Sequence, residues 1–414
     1  MKIYQINVVC GQGSTGHIVL ELADLIERQG GNCRVAYGRG NVPIGINSFK
    51  MSNNFDILWH VLMTRLTDRH GLFSKKATRR LLADIQKYNP DIIHLHNIHG
   101  YYLNYKILFK FLKSYGKPVV WTLHDCWAFT GHCSYFDFVR CDKWKTGCKE
   151  CKLTGKYPKS LFWDASKQNY YHKKTSFTQI KNFYIVTPSL WLANKVQESF
   201  LNYYPVKVIY NGIDTKLFFP KENSEFRRKY GIENKKIILG VANVWSERKG
   251  LRDFIELQKI LSDDYLIVLV GIGEKQKKML PEERVLSISR TDSIEELIDI
   301  YSAADVYFNA SVEETMGMTT VEALACGLPV VVYNRTAVPE IVEPNAGIVL
   351  EPGNIKEVKK AIEQLIAKPK IDYHKFALKY EKNKQYSKYL ELYRKMLHGD
   401  LTSIIDPPNI TKNQ

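Results

Sequence analysis

Two glutamates, Glu314 and Glu322, stand in the run 309–331 with seven residues between them, and Gly317 lies inside that interval. Carboxylates accept hydrogen bonds from sugar hydroxyls, whereas a carboxylate beside a phosphate would be repelled. The residues after Gly317, namely Met318, Thr319 and Thr320, open a helix whose free N–H groups and positive dipole end suit an anion. Thr319-x-x-Glu322 also fits a capping box, which needs no ligand. That reading leaves Glu314 unexplained, and it leaves open why a glycine at 317 lets a backbone come close.

A second constellation is Gly11-Gln12-Gly13-Ser14-Thr15-Gly16, a G-x-G-x-x-G loop between a strand and a helix. Backbone at Gly13 and Gly16 could approach a phosphate or a sugar at the helix N-terminus. A dinucleotide site would also need a carboxylate after the second strand, and Ala36-Tyr37-Gly38-Arg39 has none. Arg39 keeps an NADP reading open, and a purely structural tight turn is open too. A third group is Cys133, Cys141, Cys148 and Cys151 with His132 alongside. Cys148-x-x-Cys151 has chelate spacing, so a structural zinc site is expected there, with reduced thiols as the alternative.

The elements that must place these residues alternate strand and helix along the whole chain. Strands are expected at 2–9, 33–37, 91–96, 117–124, 183–187 and 206–210, and after the turn 211–214 at 236–242, 265–270, 285–288, 306–309, 329–333 and 347–350. Strands separated by helices imply parallel sheets covered on both faces, and ligands then sit at the carboxyl ends of the strands. The expected division is an N-terminal Rossmann-like domain, 1–204, with a Cys-rich insertion 126–171 and a C-terminal helix 375–398. A second Rossmann-like domain, 205–374, and a loose tail 399–414 complete it.

The chain has 414 residues, is 45% apolar and 25% charged, and carries a net charge of +16. These values exclude bulk disorder, and no uncharged apolar run is long enough for a spanning helix. A cytoplasmic location is expected. The charge calls for an anionic partner: nucleic acid, lipid headgroups or a phosphorylated substrate. The densest basic cluster, Arg65, Arg69, Lys75, Lys76, Arg79 and Arg80, follows the apolar run 55–63. Two readings stay open for that run, a helix with its apolar face in the core and a helix resting on an anionic bilayer. No interleaved aromatic–basic nucleic-acid module is present.

The segment 309–331, taken with Asn211-Gly212-Ile213-Asp214 and the Gly loop, resembles the E-x7-E signature of the family-4 retaining glycosyltransferases. The similarity is greatest to bacterial enzymes of exopolysaccharide, capsule, lipopolysaccharide O-antigen and colanic-acid type. The resemblance implies the GT-B fold, two facing Rossmann-like domains with a C-terminal helix crossing back to the first and a cleft between the sheets as the site. It implies that Glu314 contacts the donor sugar, Glu322 the nucleotide ribose, and Gly317 with the following amides the diphosphate. Lys249, in Glu247-Arg248-Lys249-Gly250, matches the phosphate-binding lysine, and His124 the active-site histidine. Base recognition falls near Arg290-Thr291. Two positions depart from the pattern: Asn243 stands where an arginine is common, with Arg248 as its possible replacement, and Met316 stands where an aromatic is usual.

The chemistry implied is metal-independent transfer from a UDP- or GDP-sugar to a glycan or a polyprenyl-diphosphate-linked acceptor, with retention of configuration. No Asp-x-Asp metal motif occurs in the sequence. Cationic side chains would then stabilise the leaving diphosphate. A peripheral contact with the anionic inner membrane fits a lipid-linked acceptor. An NADP-dependent oxidoreductase is the competing enzyme class.

Overall fold

The computed structural model describes residues 1–222 and 225–399. They divide into two compact units, Met1–Tyr210 with the chain from Tyr386, and Asn211–Gln385. The first unit holds β1 (Lys2–Asn7), β2 (Asn32–Tyr37), β3 (Ser48–Lys50), β4 (Ile92–Leu95), β5 (Val119–Thr122), β6 (Phe183–Thr187) and β7 (Val206–Val208). They form one parallel sheet in the order β3-β2-β1-β4-β5-β6-β7. The second holds β8 (Lys236–Val241), β9 (Tyr265–Val270), β10 (Val285–Ile288), β11 (Val306–Asn309), β12 (Val330–Tyr333) and β13 (Gly347–Leu350). Their order is β10-β9-β8-β11-β12-β13, again parallel throughout. Two Rossmann-like parallel sheets are thus present, as expected.

Side chains alternate across a strand, and the first sheet divides its core accordingly. Tyr4, Ile6, Ile93, Leu95, Val119 and Trp121 face one layer, which includes the helices Lys75–Tyr88 and Tyr105–Tyr115. Ile3, Val35, Ile92, Val120 and Val186 face the other, where the helix Gly13–Arg28 packs. The C-terminal helix Lys382–His398 adds Tyr386, Tyr389, Leu390, Leu392 and Tyr393 to that second layer. Its tyrosines can be buried because their hydroxyls find partners. Tyr393 Oη lies 2.6 Å from His94 Nδ1, and Tyr389 Oη lies 3.1 Å from Thr122 Oγ1.

Two boundaries and one strand differ from expectation. The first unit runs past 204 to Tyr210, because β7 pairs with β6. The chain returns to it at Tyr386 rather than 375, because residues up to Gln385 belong to the second unit, where Ile213 N donates to Tyr380 O at 2.8 Å. Strand β3 is an addition. Apart from Gly399, the tail 399–414 lies outside the described residues.

The helix Asn54–Thr67 also overturns the core reading of the apolar run. Only His60 and Thr64 are buried in it, whereas Phe55, Leu58, Trp59, Leu62 and Leu66 are exposed.

Candidate active site

In the second unit the strand order reverses between β8 and β11, so the loops leaving those two strands diverge and open a crevice at their carboxyl ends. The sequence fills that position with charge. The loop after β8 ends in a short turn, Glu247–Lys249, and Gly250, and the loop after β11 carries Glu313 and Glu314. The amide of Val312 donates to Arg248 O at 2.9 Å, which laces the two loops together. Gly250 sits at φ +72°, and a Cβ there would lie 2.2 Å from Ala310 O, so only glycine permits this approach.

Lys249 Nζ donates to Glu314 Oε1 in a close, mostly buried ion pair. Arg248 Nη1 donates to Glu313 O at 2.8 Å and lies 3.9 Å from Glu314 Oε2. Glu314 N donates to Thr336 Oγ1 at 2.9 Å, which ties the loop to the segment after β12. Burial pushes the Glu314 carboxyl up. The charges of Lys249 and Arg248, with hydrogen bonds from Lys249 and Ser311, outweigh that and hold it below its ordinary range.

Gly317, at φ +92°, is the N-cap of the helix Met318–Ala325, and no side chain caps its first amides. The capping-box alternative is therefore not what forms: Thr319 lies inside the helix. Its hydroxyl accepts from Tyr307 Oη at 2.7 Å, and Glu322 accepts from Tyr301 Oη at 2.9 Å. Burial raises the Glu322 carboxyl despite that bond. The two glutamates are thus set apart electrically, Glu314 held anionic and Glu322 drawn towards its neutral form. Met316 is buried, and its Sδ receives the amide of Asn211 at 3.2 Å.

Asn243 follows β8 and is exposed, and Arg290 and Thr291 follow β10. They lie at the same edge of the sheet as Glu314, but among the described residues no hydrogen bond or ion pair joins them to it. Lys249, Arg248 and Glu314 are the residues brought together.

In the first unit, His124 follows β5 and is buried. Its Nε2 lies 3.1 Å from Nδ1 of His96, and the two rings stack with an interplanar angle of 13°. Gln5 fixes the direction of this contact. Its amide nitrogen donates to Val19 O at 3.0 Å and to Cys33 Sγ at 3.3 Å, so Oε1 is left to accept from His96 Nε2 at 3.0 Å. His96 Nδ1 must then accept from His124 Nε2–H, which leaves the lone pair on His124 Nδ1. Burial, partly offset by Asp125, pushes His124 down to about 4, so the ring is neutral near pH 7. Asp125 itself lies 2.9 Å from His99 Nε2, and His99 Nδ1 lies 2.9 Å from Tyr157 Oη. Sequence reasoning missed His96 and Gln5, since only the pairing of β1 with β4 and of β4 with β5 brings them beside His124.

The Gly loop divides its labour. Gly16 serves packing, since a Cβ there would lie 3.1 Å from Val9 Cγ2 and 3.2 Å from Gly11 N. Gly13, at φ +62°, is open and begins the helix.

The zinc site expected at Cys133, Cys141, Cys148 and Cys151 is not formed. The four thiols and His132 line one pocket, yet no set of three or more His, Cys, Asp or Glu among the described residues could hold a metal ion. Some of these groups bond to one another or to nearby protein, while among the described residues His132 Nε2 is buried without a partner. A hydrogen bond from Cys133 helps bring Cys151 down to about 7, Gly131 N donates to Cys148 Sγ at 3.1 Å, and His132 Nδ1 lies 2.5 Å from Asp68 Oδ1. Beneath the pocket Lys173 is buried, with Nζ donating to Trp127 O at 2.6 Å and Thr130 O at 2.9 Å and lying 3.5 Å over the Trp127 ring.

Residues 15–217 match the family described as Glycosyltransferase Family 4, and residues 222–388 match Glycosyl transferases group 1. A putative colanic acid biosynthesis glycosyl transferase, WcaC, of Escherichia coli is 30% identical over 171 residues, covering 38% of this chain and 41% of that protein. The chain spans about half or less of the length of such curated relatives. Its fold is similar to sucrose-phosphate synthase from Thermosynechococcus elongatus, with TM-score 0.70, 16% identity and coverage of 96% of this chain and 99% of that one. It is also similar to Anabaena HepE in complex with UDP-glucose, with TM-score 0.61, 17% identity and coverage of 97% and 100%. At such identities the likeness shows the fold, GT-B.

Proposed function

We propose that this chain, which belongs to the glycosyltransferases, moves a sugar with retention from a UDP- or GDP-sugar to a glycan or polyprenyl-diphosphate-linked acceptor in bacterial surface polysaccharide synthesis. The observation that carries the reading is the meeting of Arg248, Lys249 and Glu314 at the carboxyl edge of β8 and β11, beside an uncapped helix N-terminus. Breaking the sugar–phosphate bond puts negative charge on the departing diphosphate. In this reading Lys249, Arg248 and the amides of Met318 and Thr319 stabilise it and make a divalent metal unnecessary, while the amide of Thr320 is engaged by Gly317 O at 2.9 Å. Glu314 accepts hydrogen bonds from donor-sugar hydroxyls, and Glu322 from the ribose. Asn243, Arg290, Thr291 and Met316 contribute to the nucleotide side.

On the acceptor side, the neutral ring of His124 offers Nδ1 to a hydroxyl, and Gly13 offers open backbone. Attack from the face the diphosphate leaves preserves configuration, and the leaving phosphate takes the acceptor proton, so His124 orients rather than ionises. The colanic-acid relationship supports a surface-polysaccharide pathway, and UDP-glucose bound to HepE supports a UDP-sugar donor.

Calorimetry with UDP, GDP and NADPH, followed by turnover on a panel of sugar nucleotides with and without EDTA, tests this. Binding of UDP or GDP and EDTA-resistant transfer are expected. NADPH binding without nucleoside-diphosphate binding would point to the oxidoreductase instead.

A further inference from the structure

A surface helix ordinarily turns its apolar stripe inwards. The helix Asn54–Thr67 does the reverse. Phe55, Leu58, Trp59, Leu62 and Leu66 recur at helical spacing along one face, and that face is in solvent, Phe55 at 74% and Trp59 at 50% exposure. The inward face presents His60 and Thr64, both fully buried. His60 is satisfied there, its Nε2 accepting from Gly71 N at 3.1 Å and its Nδ1 lying 2.8 Å from Ser74 Oγ. The helix is therefore seated chiefly through His60, which also packs against the rings of His70, Phe73 and Tyr101, and its apolar side is left over.

A second apolar group lies beside it. Leu161, Phe162 and Trp163 are exposed, the last two at 76% and 68%. This segment is fastened to the end of the helix on both sides. Leu161 N donates to Arg65 O at 2.8 Å, and Ala165 N donates to Asp68 Oδ2 at 2.8 Å. Cations surround the patch. Arg65, Arg69, Lys75, Lys76 and Arg79 are exposed, and among the described residues none of them is ion-paired. The acids nearest in sequence are already engaged: Asp68 is buried against His132, and Asp56 lies 3.6 Å from Arg80.

We propose that the outward face of the helix Asn54–Thr67, with residues 161–163, is a docking surface for an anionic lipid bilayer. Aliphatic and aromatic side chains from two segments would enter the headgroup boundary while the basic rim meets lipid phosphates. Trp59 and Trp163 have the amphipathic rings that favour this depth. A protein partner would need carboxylates opposite five unpaired cations, whereas an anionic leaflet supplies that charge without shape matching. The surface lies across one aromatic layer from the His124 loop. His60 contacts His70 and Tyr101 at 5.9 Å between ring centroids, His70 contacts His99 at 6.1 Å, and His99 binds Asp125. Docking would thus hold a lipid-linked substrate near that loop, although the surface is read without turnover and does not rest on the transfer reaction.

Flotation of the full chain with phosphatidylcholine vesicles, plain or containing about one third phosphatidylglycerol, tests it. Binding to the anionic vesicles at least tenfold stronger than to the neutral ones, and weakened by salt, is expected. Leu62→Glu with Trp163→Ser should reduce partition tenfold or more while circular dichroism stays unchanged. Lys76→Glu with Arg79→Glu should remove the preference for anionic lipid. Equal binding to both vesicles, or undiminished binding of the Leu62→Glu variant, overturns the proposal. So does a wild-type dimer in sedimentation that Leu62→Glu dissociates, because the face would then be a contact between copies.

Discussion

His96 accepts a hydrogen bond through Nδ1 from His124 Nε2 at 3.1 Å, and the amide of Gln5 on β1 decides that polarity. The side chains of Gln5 and His96 are fully enclosed, so nothing outside competes for these bonds. His96 is on this account a positioning residue that selects the tautomer of its neighbour. Nitrogen-15 NMR of the imidazoles should find His124 protonated at Nε2 and bare at Nδ1. In His96→Phe the His124 signals should become a tautomer mixture, with kcat about tenfold lower and donor KM little changed. A wild-type His124 protonated at Nδ1 would sink the assignment.

Glu314 holds Lys249 in an ion pair before any diphosphate arrives. Removing the carboxylate frees the lysine, while removing the lysine leaves a mostly buried carboxylate without its main partner. Glu314→Gln should therefore bind UDP or GDP at least as tightly as wild type in calorimetry, yet lose transfer by about a hundredfold or more. Lys249→Met should lose about 2 kcal/mol of nucleotide-diphosphate affinity, the worth of one charge-assisted bond. Equal losses of binding in both variants would mean that Glu314 contacts the nucleotide and not the sugar.

The buried strands were legible because a parallel sheet covered on both faces makes them continuous apolar runs, such as Val330–Tyr333. Strand β3 was not, since its three residues are short and never fully buried. The stripe of the helix Asn54–Thr67 could be read from spacing, but spacing does not say which way a stripe faces. Glu314, Lys249 and Arg248 could be read as a set only through a family pattern, since sixty-odd residues separate the turn after β8 from the loop after β11. Gln5 and His96 lie 91 residues apart in the chain and look like ordinary polar positions. Cysteine spacing failed for the opposite reason, because it suggests chelation without fixing where the sulfurs point.

Gly250 should be the most sensitive backbone position near the charged cluster. A methyl group there would meet Ala310 O at 2.2 Å, and the residue already sits at positive φ. Gly250→Ala must part the loops after β8 and β11, at a cost of about 2–3 kcal/mol. Because Arg248 and Lys249 immediately precede it, nucleotide-diphosphate affinity should fall together with the melting temperature. Differential scanning fluorimetry with and without UDP reads both effects. An unchanged melting temperature would show that the two loops are not rigidly laced.

Acid should unfold the first unit before the second. Burial lowers His60 to about 3 and His124 to about 4, and it holds His70, His94 and His96 well below their ordinary value. These groups are neutral in the folded chain and titrate near 6.5 once unfolded, so below that pH the unfolded state binds more protons. Stability present at pH 7 is consequently lost as the pH falls from about 6.5 towards the folded values. Each such histidine contributes a loss of about 1 kcal/mol by pH 5.5. All five belong to the first unit. Amide exchange at pH 7 and pH 5.5, followed by mass spectrometry, should show protection falling in β1, β4 and β5 while β8 and β11 keep theirs. A uniform loss across both sheets would mean that the two units unfold as one.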